Sequence, residues 1–273
     1  MEVLSKDMIE QWIIPHLSKG ERGPEPEVEL CDIVQAILYR LKTGCQWRML
    51  PLKEFFEQDT LSWNGVYHHH RAWVRDDSWR KVWIEMLRAN RSRLDLSSLQ
   101  LDGSQTPSKK QGEHIGYQSR KAAKTTNALF FSDKQGLPLA MATPQAGNHN
   151  DVFKIQELFE QMCALLKEAG IDLRGVFMNA DGGFDAQALR DVCSEKDIEP
   201  NIAANPRSAK QHREEYIYFD EELYKERYVI ERTNAWLDGF KALLVRYEVK
   251  ISTWVALHFM AFALIFIRKK LIC

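Results

Sequence analysis

The chain has 273 residues, a formal net charge of −1 and 27% charged residues. This is the composition of an ordinary globular protein and excludes a non-specific polycation, so any nucleic-acid function has to depend on local charge. The five cysteines are odd in number and show no Cys-x-x-Cys spacing, which predicts neither a disulfide framework nor a cysteine zinc site and fits a reducing compartment.

Neither end of the chain indicates a membrane protein. The first residues, MEVLSKDMIEQW, lack the apolar stretch of a signal peptide. The longest apolar run, Val255 to Ile267, contains His258 and is too short to cross a hydrocarbon layer of about 30 Å. We therefore predict a buried core helix there, and a soluble cytoplasmic protein with no membrane partner.

Residues 1–95 have the pattern of a small helical domain. Apolar residues at helical spacing predict helices over about 6–17, 29–43 and 78–93, and Gly44 is placed to cap the second one. The run His68-His69-His70 is predicted as polar helix surface, because consecutive helical residues point in different directions and cannot share a metal. Short helices with tight connections predict a domain of the helix-turn-helix kind that binds DNA.

From about residue 96 the pattern changes to that of an α/β domain. Strands are predicted at 99–104, 127–132, 137–142, 176–181 and 201–204, with helices at 151–168 and 186–195. The first strand is expected to end in a turn at Gly103. Asn150 and Asp151 are expected to cap the helix that follows them, with a place near a functional site as the alternative for His149 and Asp151. These elements predict a mixed sheet with flanking helices over residues 96–273.

The last predicted helix, residues 224–241, has two different faces. One carries apolar side chains at positions 230, 237, 240 and 244 together with Thr233, and suits packing against a core. The other carries polar residues at the same spacing: Tyr224, Arg227, Glu231, Asn234, Asp238 and Lys241. Taken alone, this second face is a charged surface stripe with an Arg227–Glu231 pair.

The positions of three acids in the predicted strands and in the last helix suggest that they form one site. Asp102 ends the first strand, Asp181 ends the buried fourth strand, and Glu231 lies on the last helix. If the first and fourth strands are neighbours, Asp102 and Asp181 meet at one edge, and the helix can direct Glu231 to the same point. Clustered carboxylates raise one another's pKa, and Mg²⁺, which takes carboxylate and phosphate oxygens, relieves the repulsion.

The same motifs resemble a known family. Leu101-Asp102-Gly103-Ser104, Ala180-Asp181-Gly182-Gly183 and Tyr224-x-x-Arg227-x-x-x-Glu231 resemble the DDE transposases of bacterial insertion sequences, of the insertion-sequence-four/five type. The segments Gly44-Cys45-Gln46-Trp47-Arg48 and Gly147-Asn148-His149-Asn150-Asp151 are similar to the same group. The resemblance covers nearly the whole chain.

The resemblance implies a ribonuclease-H-like catalytic domain and a mechanism. Asp102, Asp181 and Glu231 would be catalytic and would hold two Mg²⁺ ions, with Mn²⁺ as a substitute. The enzyme would cleave phosphodiester bonds at transposon ends and join them to target DNA. Its partners would be double-stranded DNA, both the terminal inverted repeats and the target, and a second copy of the chain in a homodimer. A bacterial, nucleoid-associated location in the cytoplasm would follow.

The resemblance also assigns DNA contacts. Tyr224 and Arg227 would hold DNA near the cleavage point. The family has a lysine seven positions after the glutamate, where this chain has Asp238, and Lys241 is the expected replacement on the same helix face. Two basic segments are predicted to border the site and neutralise DNA phosphates, although a solvated loop is an equal alternative for each residue: Lys109, Lys110, Arg120, Lys121 and Lys124, and Arg207, Lys210 and Arg213.

Other functions remain open at this level. Asp238 in place of the family lysine is compatible with a catalytically silent DNA-binding protein derived from a transposase. A metallohydrolase that does not act on DNA explains the acids but neither the helical N-terminal region nor the basic segments. Asp185 is a candidate fourth acid, for which a turn or N-cap role is favoured.

Overall fold

The computed structural model describes residues 2–19, 28–56, 61–205 and 218–271. Arg207, Lys210 and Arg213 therefore lie outside the described residues. The chain forms two compact units. The helical unit comprises Met1–Ala89, Lys109–Glu113 and Trp236–Cys273, and the sheet unit comprises Asn90–Ser108 and His114–Ala235. The predicted domains, 1–95 and 96–273, are continuous in sequence and divide the chain differently from these two units. That residues 1–95 and 96–273 are two domains stays a prediction.

In the sheet unit the predicted strands and helices follow in the predicted order, and two short strands, Gly116–Gln118 and Gln145–Ala146, were not predicted. The helices are α1 (Lys6–Trp12), α2 (Leu30–Thr43), α3 (Trp63–Arg75), α4 (Ser78–Asn90), α5 (Ile155–Glu168), α6 (Gln187–Glu195), α7 (Glu221–Lys225), α8 (Val229–Asp238), α9 (Lys241–Leu244) and α10 (Ile251–Phe266). The strands are β1 (Ser98–Pro107), β2 (Gly116–Gln118), β3 (Ala123–Ser132), β4 (Pro138–Met141), β5 (Gln145–Ala146), β6 (Phe177–Ala180) and β7 (Glu199–Ile202).

The helical unit is built around α10, which explains why the C-terminal residues group with the N-terminal helices. Trp83 of α4 packs edge-on against Phe262 and Phe266 of α10, with ring centroids 5.6 and 6.0 Å apart. By length and composition, Ile251–Leu271 is the one described helix that could cross a membrane, and 72% of its apolar 18-residue window is buried inside the protein. This burial is what the prediction of a core helix requires.

A buried ion pair joins α2 to the segment before α10. The guanidinium of Arg40 donates to Glu248 across 2.5 Å, and both side chains are almost fully buried. The short segment Lys109–Glu113 belongs to the same unit because Glu113 accepts a hydrogen bond from the backbone N–H of Ile251 at 2.8 Å. Gly44 ends α2 with φ of 68°, so the predicted glycine cap is confirmed.

The histidine run differs from the prediction of a polar helix surface. His68 is exposed, but His70 is fully buried in α3, 5.1 Å from the ring of Trp47. Residues at one-residue steps on a helix point about 100° apart, so one of three consecutive positions can face the core. Burial, and the nearby positive charge of Arg40, lower the pKa of His70 to about 3.

The sheet unit contains one mixed sheet. Its main path has the order β2-β3-β1-β6-β7, in which β1, β6 and β7 are parallel and β3 is antiparallel to β1. Helices α5 and α6 pack on each other, and α5 also contacts β3 and β4. The sheet unit is therefore a mixed sheet with flanking helices, as the sequence predicts.

Three predicted boundaries in the sheet unit were wrong. β1 does not turn at Gly103, because Gly103 stays extended and pairs with Leu129. Asn150 and Asp151 do not cap α5, which begins four residues later, after Lys154 in a left-handed conformation (φ 53°). The last helix is not continuous: a 3-10 turn at Glu226–Tyr228 separates α7 from α8, and Gly239 and Phe240 separate α8 from α9.

The burial of His70 predicts an acid-sensitive helical unit. In the unfolded chain a histidine takes up a proton below about pH 6.5, whereas folded His70 stays neutral down to about pH 3. The unfolded state therefore binds more protons as the pH falls, and the free energy of unfolding drops by about 1.4 kcal/mol for this residue between pH 7.5 and pH 5.5. His70→Phe should abolish that part of the decrease.

Urea unfolding followed by tryptophan fluorescence measures this unit selectively, because all eight tryptophans belong to it. His68→Phe is the matched control, since that side chain is exposed. Equal pH dependence in the wild type and His70→Phe would contradict the prediction.

Candidate active site

Asp102 and Asp181 lie side by side because of how β1 pairs with β6. The two strands are parallel, with Leu101 opposite Ala180, so the next residue of each chain segment is an aspartate at the same place. Asp102 lies within β1, whereas Asp181 follows the last residue of β6 and accepts a hydrogen bond from the N–H of Gly183 at 2.8 Å. The expected meeting of these two acids at the end of β6 is therefore present in the structure.

The environment of Asp102 favours a proton or a cation. Burial is the main cause that raises its pKa to about 6, and the nearby Asp181 adds to the effect. The N–H of Gly103, the charge of Arg227 and the side chain of Asn234 act in the opposite direction. Asn234 Nδ2 donates to Asp102 Oδ2 at 3.2 Å, which holds the carboxylate in one orientation.

Helix α8 is held against the sheet unit by its apolar face. Ile230 is buried, and Thr233 Oγ1 donates to the carbonyl of Gly136, in the turn between β3 and β4, at 2.7 Å. The side chain of Arg232 also reaches that turn, at the carbonyl of Gln135, 3.3 Å away. Of the predicted buried positions, 230, 233, 237 and 240 are buried, whereas Leu244 is only partly buried.

Glu231 lies between two residues that interact with Asp102. Arg227 precedes it by four positions and Asn234 follows it by three, the spacings that share one side of a helix. Its own side chain is exposed. Within the described residues, no three histidine, cysteine, aspartate or glutamate side chains are grouped closely enough to hold a metal ion. The structure brings Asp102 and Asp181 together, and does not bring Glu231 to them as a third ligand.

Known proteins with similar sequences match both parts of the chain. The family model described as "Transposase DDE domain" matches residues 94–266, and that described as "Putative transposase of IS4/5 family" matches residues 7–83. The chain belongs to the DDE-domain transposase family.

A curated relative and two solved structures are similar to this chain. The "Putative transposase for insertion sequence element IS402" of Burkholderia cepacia is 34% identical over 120 residues, which cover 44% of this chain and 52% of that protein. The chain thus matches about half the length of that relative. A piggyBac transposase synaptic complex with hairpin DNA has a TM-score of 0.45 at 10% identity, covering 95% of this chain and 70% of that one. A Mos1 mariner paired-end complex with Mn has a TM-score of 0.31 at 14% identity, covering 98% and 88%.

A further acid of the chain lies near the aspartate pair. Asp151 Oδ1 accepts a hydrogen bond from Asn127 Nδ2 at 2.7 Å, and burial raises the pKa of Asp151, with Asp181 adding to the shift. Its carboxylate occupies the space that a side chain at position 103 would fill: a Cβ on Gly103 would lie 2.4 Å from Asp151 Oδ1. Asp102 is therefore followed by a glycine because Asp151 packs there.

A buried amide network ties α7 to the sheet. Asn201 Nδ2 donates to Asn179 Oδ1 at 2.8 Å and to the carbonyl of Asp220 at 3.0 Å. Asn179 Nδ2 in turn donates to the carbonyl of Leu223 at 3.1 Å. Sequence reasoning missed this network, although a polar Asn179 inside a buried apolar strand was the available signal. The network fixes the backbone that precedes Arg227.

The predicted DNA contacts have different surroundings. Arg227 lies 5.9 Å from the ring of Tyr224 and beside Asp102. Arg120 is close enough to Asp151 to lower its pKa, while Lys121 donates to the carbonyl of Gln105 at 2.7 Å. Lys124 lies opposite Tyr117 in the pairing of β2 and β3. These four basic residues belong to the sheet unit, and Lys109, Lys110 and Lys241 belong to the helical unit.

Two expectations about single residues change. Lys241 does not continue the polar face of α8, because the helix ends at Asp238 and Lys241 begins α9. The expectation that Lys241 replaces the family lysine assumed one continuous helix from Tyr224 to Lys241, and the structure does not have that helix. Asp185 is a buried partner of Arg190, at 2.9 Å, and accepts the N–H of Asn205 at 2.9 Å. The N-cap of α6 is Ala186, so the predicted N-cap role of Asp185 is wrong.

The packing of Asp151 against Gly103 predicts the effect of a methyl group at position 103. Gly103→Ala would force the Asp151 carboxylate from its bond with Asn127, and should lower the free energy of unfolding by about 1–3 kcal/mol. In an Asp151→Ala background the carboxylate is absent, so the same substitution should cost less. Urea unfolding followed by circular dichroism completes the double-mutant cycle; an equal cost in both backgrounds would exclude this contact as the cause.

Proposed function

We propose that this transposase cleaves phosphodiester bonds at the ends of an insertion sequence and joins those ends to target DNA. The observation that carries the proposal is the register of β1 and β6, which sets Asp102 beside Asp181 in a chain of the DDE family. Asp102, Asp181 and Glu231 are the acids we assign to catalysis and metal binding. Double-stranded DNA is the substrate, and a homodimer that holds two ends is the proposed assembly in the bacterial cytoplasm.

The acids present fit a hard divalent cation. Asp102 and Asp181 offer adjacent carboxylate oxygens, the ligand type that Mg²⁺ takes, with water and phosphate oxygens completing its shell. Their mutual repulsion and the burial that raises the pKa of Asp102 are both relieved by a positive ion. Two Mg²⁺ ions, replaceable by Mn²⁺, would supply Lewis-acid stabilisation of the attacking and leaving oxygens when bound. Glu231 is the proposed third ligand and would have to approach the aspartate pair when DNA and cations bind.

The neighbours of the acids have supporting roles. Asn234 holds Asp102 Oδ2 in a fixed direction, and the charge of Arg227 offsets part of the cost of burying an ionised Asp102. With Tyr224 beside it, Arg227 is also placed to contact a DNA phosphate close to the reacting bond. Arg120, Lys121 and Lys124 are proposed to bind phosphates further along the duplex, as are Lys109 and Lys110.

Removal of each proposed catalytic carboxylate should abolish DNA cleavage and retain DNA binding. Asp102→Asn, Asp181→Asn and Glu231→Gln keep the shape of the side chain but remove its charge, so Mg²⁺-dependent excision should fall by at least about 100-fold. The assay is excision of a marked element from a plasmid that carries the inverted repeats flanking the coding region. Binding to labelled end DNA is measured in parallel.

Matched controls separate the site from general charge effects. Glu222→Gln changes an exposed carboxylate of α7 that pairs with Lys225, and Asp172→Asn changes an exposed one that pairs with Arg174. Both should excise as the wild type does. Undiminished excision by any one of the three acid variants would remove that residue from the proposed site.

A catalytically silent DNA-binding protein is the second candidate. Two observations favour it: Asp238 stands where the family has a lysine, and the described residues contain no group of three potential metal ligands. The same plasmid assay distinguishes the candidates. Specific binding of the element ends without any excision, in Mg²⁺ or Mn²⁺, would favour the silent protein.

A further inference from the structure

The turn between β3 and β4, residues 133–136, contacts the segment that carries Glu231. Both sides of this contact belong to the sheet unit. The contacts are a salt bridge from Lys134 Nζ to Glu226 Oε1 at 3.1 Å, a hydrogen bond from Arg232 Nη1 to the carbonyl of Gln135 at 3.3 Å, and one from Thr233 Oγ1 to the carbonyl of Gly136 at 2.7 Å. We name the turn and its three partners, Glu226, Arg232 and Thr233, the hairpin clamp.

The turn itself is held in a fixed shape. Asp133 is fully buried, and its carboxylate accepts hydrogen bonds from the backbone N–H groups of Gln135 at 2.9 Å and of Leu137 at 2.8 Å. An aspartate that bonds the backbone two residues further on stabilises a turn. The same carboxylate accepts the N–H of Asp95 at 3.2 Å, which joins the turn to the residues before β1. Helix α8 therefore rests on a fixed support.

Gly136 allows the turn and the helix to approach each other closely. Its φ of 83° is in the left-handed region, which glycine adopts without strain. A Cβ at this position would lie 2.9 Å from the carbonyl oxygen of Val229, the first residue of α8. Because Gly136 has no side chain, its carbonyl reaches the hydroxyl of Thr233, which is fully buried.

The ion pair of the clamp compensates a carboxylate that is partly withdrawn from water. The side chains of Lys134 and Glu226 are 37% and 33% exposed, and among the described residues Glu226 Oε2 is buried without a hydrogen-bond partner. Loss of one partner from a desolvated pair costs more than the pair contributes, because it leaves an uncompensated charge. Lys134 therefore holds Glu226, and the backbone that leads into α8, against the turn.

The clamp and Asp102 lie on opposite sides of α8. At 3.6 residues per turn, Thr233 points about 160° away from Glu231. Asn234, three positions after Glu231, donates to Asp102 Oδ2 at 3.2 Å. Helix α8 is thus fixed on one side by the turn and on the other side by Asp102, and the backbone of Glu231 is held between these contacts.

We propose that the hairpin clamp positions Glu231 for catalysis, with Lys134, Glu226 and Thr233 as positioning residues that act through it. The proposal rests on the proposed function, in which Glu231 is the third metal ligand. With the backbone of α8 fixed, only the side chain of Glu231 has to turn toward the cations. Since a misplacement of about 1 Å at a reacting group can lower a rate about 100-fold, weakening the clamp should affect cleavage strongly.

Reversal of the charge at Lys134 tests the ion pair of the clamp. Lys134→Glu places two carboxylates together, and should lower both Mg²⁺-dependent excision and the affinity of the protein–end DNA complex for Mn²⁺ by about 10-fold. Mn²⁺ binding is measured by electron paramagnetic resonance of the free ion. The exchange variant Lys134→Glu/Glu226→Lys restores an ion pair and should recover most of both losses. Affinity for end DNA in EDTA should stay unchanged.

A second pair of variants tests the buried hydrogen bond without changing charge. Thr233→Val keeps the shape of the side chain but removes its hydroxyl, so it should also weaken Mn²⁺ binding and excision. Thr233→Ser keeps the hydroxyl and should retain both. Equal behaviour of the valine and serine variants would contradict a positioning role for this bond.

Lys225→Glu is the matched control for Lys134→Glu. It reverses the charge of an exposed lysine one position before Glu226, which pairs with Glu222 of α7, and should excise and bind Mn²⁺ as the wild type does. The proposal is overturned by equal losses in Lys134→Glu and Lys225→Glu, by faster excision in Lys134→Glu, or by no recovery in the exchange variant.

Glu231→Gln separates the clamp from the catalytic assignment. If the clamp acts through Glu231, Glu231→Gln weakens Mn²⁺ binding, and adding Lys134→Glu causes no further loss. Unchanged Mn²⁺ binding in Glu231→Gln would mean that the catalytic assignment has failed. A loss in Glu231→Gln to which the effect of Lys134→Glu simply adds would mean that only the clamp has failed.

Discussion

The pairing register of β1 with β6 is the constraint on which the site depends. Because side chains alternate between the two faces of a sheet, a slip of one residue would move Asp102 to the opposite face. Apolar side chains prevent that slip: Leu99 and Leu101 of β1 and Met178 of β6 are all fully buried. The same packing that stabilises the sheet therefore determines which two acids, 79 positions apart in the sequence, become neighbours.

Placing two acids together has a cost, and the surrounding polar groups limit it. Burial raises the pKa of Asp102, and three neighbours lower it again: the N–H of Gly103, Arg227 and Asn234. Arg227 and Asn234 come from the segment anchored by the buried Asn179–Asn201 network and by the bond from Thr233 to Gly136. A partly compensated carboxylate is suited to binding a cation, since it is neither fully paired with a protein charge nor fully hydrated.

The sequence predicted the architecture well where the pattern depends on burial. The strands around Leu101 and Met178, the hairpin, α6 and the buried stripe of α8 follow from apolar periodicity. The sequence-based prediction failed in two cases. In one, a residue type is compatible with two backbone conformations; in the other, a contact joins residues that are far apart in sequence. Glycine is a residue type that favours turns, yet Gly103 is extended and pairs with Leu129, and Asp151 occupies the space that a side chain at position 103 would fill. Aspartate is a frequent helix cap, yet the carboxylate of Asp151 packs beside Gly103 of β1. The two residues are far apart in sequence, so a local sequence pattern does not predict this contact.

The C-terminal end of α8 is another place where the sequence pattern did not predict the structure, and it changes the surroundings of Lys241. At constant helical spacing, Lys241 shares a face with Glu231, and the sequence alone cannot show that the helix stops at Asp238. The cause is local: Gly239 is a poor helix former, and the break places Lys241 at the start of α9, within the helical unit. Its electrostatic neighbours are then Lys42 and Arg268. Periodicity placed Lys241 beside the acids, but the break in the helix groups it with residues of the helical unit, and Asp238 has no substitute lysine on α8.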